Sequence, residues 1–466
     1  MSESRGIRDP IHGFIQLESE ECKIIDSPVF QRLRRIRQLS FAYLVYPGAL
    51  HTRFDHTLGV FHVASKMAKT CNLSDDEQRL VRLAALLHDL GHGPFSHVSE
   101  GALDLFADRA KLGDAVSVQK ADKIHEMLTC DILDKDQSLA RILGTDTLSD
   151  IKKLLLRGYG DPILKSIVSG PLDADKQDYL LRDTYFCGVK YGVFDIERLH
   201  RMFHVVQDQL DEKQLMIKQD GVHTLEQFIL AKYYLTAQVY RHRVRRITDE
   251  MVVRAIVLGI EKDSIDSLKQ LYAYDGSQSF FENYMQWDDA RFLLEFGSNR
   301  YEGSCCKEII SRLSSRHLLK QVFDAPFSDI PENCREILSQ ISLPQFRNWR
   351  SQLEKSICSG LQEAGISMQT ECCDPSNLLI VHNFSLKSVR AQSRNDEASI
   401  MVDQKPEPLP FEEASDLFRS INEKMAIAHF AVYAPVTFDN PVERKRVQDA
   451  SHKAIMLVLE GLTNGD

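Results

Sequence analysis

Apolar positions are densest in the stretch Leu80–His97, LVRLAALLHDLGHGPFSH. The run predicts a buried helix, opened by a capping box at Ser74 and Glu77 and stopped by Gly91 and Gly93-Pro94. Upstream, Ser27-Pro28 predicts a helix start, with Ser27 as N-cap and Pro28 at the first helical position. Phe30, Leu33 and Ile36 then form a buried stripe, while Gln31, Arg34 and Gln38 share another face. Tyr46-Pro47-Gly48 reads as a turn, and HTRFDH (His51–His56) opens a helix that continues through Val63 and Met67.

Helical patterning continues over residues 119–135, 137–157, 224–260, 305–325 and 345–365. It also covers DADKQDYLLRD (Asp173–Asp183), where Asp175, Tyr179 and Asp183 line one face. After about residue 375 the texture changes. Leu378–Leu386, Ser399–Val402 and His429–Tyr433 read as strands, Gln404–Pro410 as a Pro-rich link, and Phe411–Met425 and Val442–Leu462 as helices. The expected fold is mainly α, a large helical core with a smaller α+β lobe at the C-terminal end. The expected divisions are an N-terminal segment and helix over 1–45, a core over 46–260, a helical extension over 261–374 and the lobe over 375–466.

Composition narrows the class. The 466 residues are 43% hydrophobic and 27% charged, as in ordinary globular proteins. MSESRGIRDPIHG carries no apolar signal segment and no run of about 18 apolar residues occurs, which predicts a cytoplasmic protein without a membrane partner. Ten dispersed cysteines without a CxxC pair read as reduced, mostly buried thiols, with the vicinal pairs Cys305-Cys306 and Cys372-Cys373 structural. A net charge of −10 makes nucleic acid an improbable main partner. Positive charge is local instead, at Arg32, Arg34, Arg35 and Arg37 and at Arg241, Arg243, Arg245 and Arg246, which suits a small polyanion such as a nucleotide.

Of the 16 histidines, eight lie in the first 125 residues: His12, His51, His56, His62, His88, His92, His97 and His125. His88-Asp89 at the end of an apolar helix puts a nitrogen and a carboxylate oxygen where one cation can take both. A carboxylate buried there needs a cation or a hydrogen-bonded partner. With His56 and an acid from the Asp175 helix, the set of two imidazoles and two carboxylates suits manganese, iron or zinc, and magnesium less well. Asp173 and Asp178 compete with Asp175 for the fourth place.

Five stretches carry a family resemblance: RDPIHGFIQL (Arg8–Leu17), IIDSPVFQRLRRIRQL (Ile24–Leu39), YPGALHTRFDHTLGV (Tyr46–Val60), LLHDLGHGPFSH (Leu86–His97) and DADKQDYLLRD (Asp173–Asp183). In order and spacing they resemble the HD-domain deoxynucleoside triphosphate triphosphohydrolases, namely the catalytic core of the animal branch with a sterile alpha motif, and its bacterial relatives. The resemblance implies an HD phosphohydrolase core with His56, His88, Asp89 and Asp175 as metal ligands. It implies that His92, His97 and His125 contact the α-phosphate or move protons. Gln38, Leu39, Arg53, Lys176, Tyr179, Asp183, Lys232 and Tyr240 would bind substrate, Leu39 leaving no room for a 2′-hydroxyl. The chain departs from the family in having Lys232 for Arg and Thr236 for His, which removes a bidentate fork from the triphosphate grip. A GTP or dGTP activator would be held between subunits of a dimer or tetramer by Arg5, Asp26, Gln31 and Arg34. The implied reaction is hydrolysis of dNTP to deoxynucleoside and inorganic triphosphate; the alternative is another HD-type activity, a nucleotidase, pyrophosphatase or phosphodiesterase.

Overall fold

The computed structural model describes residues 5–111, 123–156, 161–207, 213–386, 400–404, 407–421 and 427–462. Residues 119–122 of one expected helix, the end of the helix over 137–157, Ser399, part of the Pro-rich link and the end of Phe411–Met425 lie outside them. The chain forms two units. One comprises Met1–Arg241, Gln270–Ala290 and Val389–Lys424, the other His242–Lys269, Arg291–Ser388 and Met425–Asp466.

The first unit opens with a hairpin of strands β1 (Arg5–Asp9) and β2 (Gly13–Leu17). Asp9 closes its turn by accepting from the N–H groups of Ile11 and His12 at 2.9 and 2.8 Å. Helix α1 (Arg53–Thr70) is opened by a capping box of Thr52 and Asp55, and α2 (Asp75–Leu87) by the expected box of Ser74 and Glu77. Helices α3 (Ile124–Lys135), α4 (Ala174–Cys187) and α5 (Val222–Leu235) follow. Helices α2 and α4 both pack on α1, around Phe61, Val63, Met67, Leu83, Leu87 and Leu180, all buried. Strands β3 (Phe203–Gln207), β4 (Lys213–Lys218), β7 (Met401–Asp403) and β8 (Leu409–Pro410) make a four-stranded sheet in that order, with β4 and β7 parallel.

In the second unit, α6 (Arg243–Glu261) packs on α7 (Cys305–Ser314). A three-stranded antiparallel sheet has β9 (Ile427–Ala434) between β5 (Lys320–Pro326) and β6 (Ile380–Leu386). Helices α8 (Arg347–Glu363) and α9 (Pro441–Glu460) pack on each other, and α9 on β5. The fold is mainly α, as expected, and the elements after residue 375 divide between the two units.

Several local expectations change. The segment 305–325 is not one helix: Arg316 takes a left-handed φ of 60°, and β5 follows. The segment 224–260 breaks at a wide turn, where the Arg241 N–H reaches the Thr236 carbonyl at 3.0 Å, and restarts at Arg243. Ser27 sits at its helix start, but its Oγ donates to the Ile24 carbonyl at 2.6 Å, and the α-turn is short, Pro28–Gln31. Arg32 is not part of an exposed charged face. It is buried, donating to the carbonyls of Trp287 and His92 at 3.0 and 2.8 Å. Cys305 and Cys373 are disulfide-bonded rather than reduced; they stand 68 residues apart, a separation that carries no sequence signal. No helix among the described residues is long and apolar enough to cross a membrane.

Candidate metal centre and histidine cluster

Four segments meet at His56. Helix α1 carries it in its first turn, α2 ends at His88-Asp89, α4 brings Asp175 and Asp178, and the β1–β2 turn brings His12. His56 is fully buried; its Nε2 lies 2.9 Å from Asp175 Oδ1 and 3.8 Å from Asp89 Oδ2. His88 donates from Nδ1 to the Ala85 carbonyl at 2.7 Å. A carbonyl can only accept, so this bond occupies Nδ1–H and leaves Nε2 outside it; Nε2 lies 3.3 Å from Asp89 Oδ1. The Nε2 atoms of His56 and His88 are buried without a hydrogen bond. Ligand atoms of His56, His88 and Asp175 all lie within 4.8 Å of one another. Burial opposes charge on His56, but the Asp175 and Asp178 carboxylates outweigh it and push its pKa up to about 10. The neighbourhood therefore asks for a positive charge beside that ring. The unbonded ring nitrogens and the carboxylates facing them fit a divalent cation.

Asp178 is not free to join as a ligand. It accepts from His56 Nδ1 at 2.9 Å, His12 Nε2 at 2.7 Å, and Arg182 Nε and Nη2 at 2.8 and 3.0 Å. Arg182 reaches on to Asp9 at 2.8 Å. Asp178 thus fixes the His56 ring, a function that sequence reasoning missed; its place one turn after Asp175 was the available signal. A Cβ at Gly59 would overlap both the Asp178 carboxylate and the Arg182 guanidinium, so only glycine admits this network against α1. Asp173 is turned away too, capping α4 at the Lys176 N–H and pairing with Lys176 Nζ at 2.6 Å.

Beside this centre lies a second cluster. Glu100 Oε1 receives the Nδ1–H of His97 at 2.7 Å and lies 2.9 Å from His125 Nδ1 and 3.5 Å from His92 Nδ1. The rings of His92 and His125 stack at 4.0 Å. His92 Nε2 is 3.3 Å from Asp89 Oδ1, which joins the two clusters. Glu100 was not anticipated, although it stands three residues after His97. Burial raises its pKa, but the neighbouring imidazoles of His125 and His97 outweigh this and hold it well below the usual range. Burial and the Arg53 charge hold His92 well below the usual imidazole range, hence neutral. The loop between His92 and His97 is held in a strained form, with Phe95 and Ser96 at φ of 63° and 56°. Asp289 fixes it by accepting from the Phe95 N–H at 2.8 Å. Ser96 Oγ donates to the Arg37 carbonyl at 2.7 Å and accepts from Arg53 Nε at 2.9 Å.

The other anticipated residues fall as follows. Arg53 binds Asp89 Oδ2 at 2.7 Å, leaving Nη2 buried without a hydrogen bond. Asp183 links His51 Nε2 at 2.7 Å to the Tyr240 hydroxyl at 2.6 Å, and Tyr179 meets Tyr240 edge-on at 6.0 Å. Gln38 and Leu39 are buried, Gln38 Oε1 without a hydrogen bond. Lys232 is half-buried on α5, its carbonyl accepting from Thr236 Oγ1. Gln31 and Arg34 are brought together at 2.9 Å, with the Arg34 guanidinium 3.4 Å above the Phe54 ring. Asp26 and Arg5 are exposed.

Residues 53–157 match the HD domain, and residues 194–352 the HD associated region. The chain is 31% identical over 339 residues to the uncharacterized protein YwfO of Bacillus subtilis, across 69% of this chain and 72% of that one. It belongs to the HD-domain phosphohydrolase family. HD domains are hydrolytic and bind divalent metals, which agrees with the donor set around His56. The chain is also 28% identical to the deoxynucleoside triphosphate triphosphohydrolase SAMHD1 of Danio rerio over 76% of its own length, and spans 60% of that relative. A phosphohydrolase of Bacteroides thetaiotaomicron shares the HD fold, with a TM-score of 0.70, 24% identity and coverage of 93% of this chain and 100% of that one.

Proposed function

We propose that this chain hydrolyses deoxynucleoside triphosphates to deoxynucleoside and inorganic triphosphate. The observation that carries the reading is the junction at Asp89 of a cation-fitting centre with a carboxylate-backed histidine cluster. The similarity to SAMHD1 supports the substrate class.

His56, His88, Asp89 and Asp175 would hold the cation, manganese, iron, zinc or magnesium. When bound, it polarises a phosphate oxygen and lowers the pKa of a water. His125 has Nδ1 2.9 Å from the Glu100 carboxylate, which backs the ring and leaves Nε2 as the nitrogen to give a proton to the departing O5′. His97 shares the same carboxylate. His92, held neutral, serves as a hydrogen-bonding wall rather than a charge. Arg53 presents its unbonded Nη2 to phosphate, with Lys176 and Lys232 as further cations. Gln38, Leu39, Tyr179, Asp183 and Tyr240 would line the sugar and base, with Leu39 refusing a ribose. Gln31 and Arg34, with Asp26 and Arg5, would hold a guanine nucleotide between copies of the chain. Their mutual hydrogen bond would have to open for that ligand.

Chromatography of products after incubation with each dNTP and manganese tests the reading. Inorganic triphosphate with free deoxynucleoside supports it. Stepwise release of single phosphates would replace it by a nucleotidase, and an inert protein would remove it. Sizing and turnover of dATP with and without GTP test the activator.

A further inference from the structure

In the second unit the vicinal cysteine pairs converge although their spacing carries no metal signature. Cys305 and Cys306 open α7, and both of their N–H groups donate to Asp263, at 3.2 and 2.8 Å. The segment Glu371–Cys373 lies against the first turn of α7. All three of its N–H groups donate to the Glu308 carboxylate at 3.0 Å. Cys373 is bonded to Cys305. Cys372 Sγ lies 3.4 Å from Glu308 Oε2 and 3.5 Å from the Ser304 carbonyl. Cys306 points elsewhere, onto Gly259 of α6. Donor atoms of Glu308, Cys372 and Cys373 lie within 4.8 Å of one another, and Cys305 Sγ is bonded to one of them. Cys305, Cys373 and Glu308 are buried and Cys372 is exposed, which leaves an entry path.

We propose that, once the Cys305–Cys373 bond is reduced, Cys305, Cys372, Cys373 and Glu308 bind a thiophilic divalent cation of the zinc type. The disulfide takes two of these four side chains, so it and the ion exclude each other. Three sulfurs and one carboxylate oxygen supply the four donors that zinc takes, and sulfur selects zinc over the hard cations. Arg312 pairs with Glu308 Oε1 at 2.9 Å, so the oxygen toward the sulfurs is Oε2. The ion would take the direction in which the Cys372 S–H now meets Glu308 Oε2. Reduction takes two electrons and two protons from a small dithiol, which leaves as its own disulfide. Binding then releases three thiol protons to solvent.

Cobalt absorption tests this separately from the HD centre, which offers only nitrogen and oxygen donors. The full chain is reduced with a dithiol, stripped with a chelator, freed of both and titrated with Co²⁺. The reduced protein should develop a sulfur-to-cobalt charge-transfer band that zinc abolishes. The oxidised protein should show no band and two fewer titratable thiols. Cys372→Ser, at an exposed position, should weaken zinc at least roughly tenfold, and Cys372→Ser/Cys373→Ser should lose the band while keeping its circular dichroism. No band in the reduced protein, or a band of equal strength in the double variant, overturns the proposal. A double variant that loses its circular dichroism leaves the decision to Cys372→Ser, where unchanged zinc affinity is the refuting result.

Discussion

Replacing Asp178 by Asn probes how the candidate centre is held. The carboxylate accepts four hydrogen bonds, from His56, His12 and twice from Arg182, at 2.7–3.0 Å, and is fully buried. Asn keeps the volume but removes the charge and turns an NH₂ group toward a donor. Arg182 then retains Asp9, at 2.8 Å, as its carboxylate partner. Breaking one side of a buried ion pair costs about 3–5 kcal/mol, within the roughly 5–15 kcal/mol that hold a domain folded, so the variant should fold in cool buffer and unfold at lower urea. The ring of His56 loses the partner that fixes its tautomer, and loss of such a partner typically costs about 10–100-fold in metal affinity. Calorimetric titration of chelator-stripped protein with Mn²⁺, paired with urea unfolding, measures both. Arg182→Lys serves as control: it weakens the same network yet leaves the His56–Asp178 bond, so stability should fall with a smaller loss of affinity. A metal dissociation constant unchanged within about twofold in Asp178→Asn would refute the assignment of Asp178 as the residue that orients His56.

His125→Ala should lower turnover by roughly 10²–10⁴-fold with KM little changed, and Glu100→Gln should shift the acidic limb of the pH–rate profile; equal profiles would demote the pair to packing. Gly59→Ala should lower the thermal midpoint sharply, because its Cβ collides with Asp178 and Arg182; a midpoint equal to the parent's would show that the network can move aside. Metal binding at pH 8 should release a proton, because His56 is pushed up to about 10 while no cation is bound and is deprotonated as a ligand. Calorimetry in buffers of differing ionisation enthalpy reads that proton directly, and a heat independent of buffer would contradict it.

Much of this was legible because period and capping chemistry are local. The apolar run ending at His88-Asp89, the Ser74–Glu77 box and the acidic face of Asp173–Asp183 became α2 and α4 with their side chains where the pattern put them. Elements that depend on distant partners were not legible. The hairpin β1–β2, the strands β3 and β4 and the edge strand β5 are short, and β5 reads as a helix until it pairs with β9, about 110 residues further on. Arg32 shows the same limit: four arginines in six residues read as a charged face, yet the carbonyls of His92 and Trp287 take one into the interior. Glu100 and Arg182 were missed, and Asp178 was weighed only as a ligand, because they act through other side chains rather than as a motif. Cys305 and Cys373 meet only through the fold of the second unit.

The charges around His56 give a reason why these supporting residues exist. Asp9, Asp89, Asp175 and Asp178 face two guanidinium groups, Arg53 and Arg182, which leaves two negative charges in a region where charge is costly. Arg53 offsets Asp89 at Oδ2, and the single charge of Arg182 is shared between Asp178 and Asp9, so the deficit is made up of Asp175, facing His56 Nε2, and one charge of the Asp9–Asp178 pair behind the ring. A proton on His56 halves it, which is what the raised pKa expresses; a divalent cation on the same nitrogen closes it. Asp173 and Lys176 pair with each other and leave this balance untouched. A monovalent ion would leave one buried charge open, and a trivalent ion would leave one in excess. The arginines thus tune the centre to the doubly charged cation that its nitrogen and oxygen donors already suit.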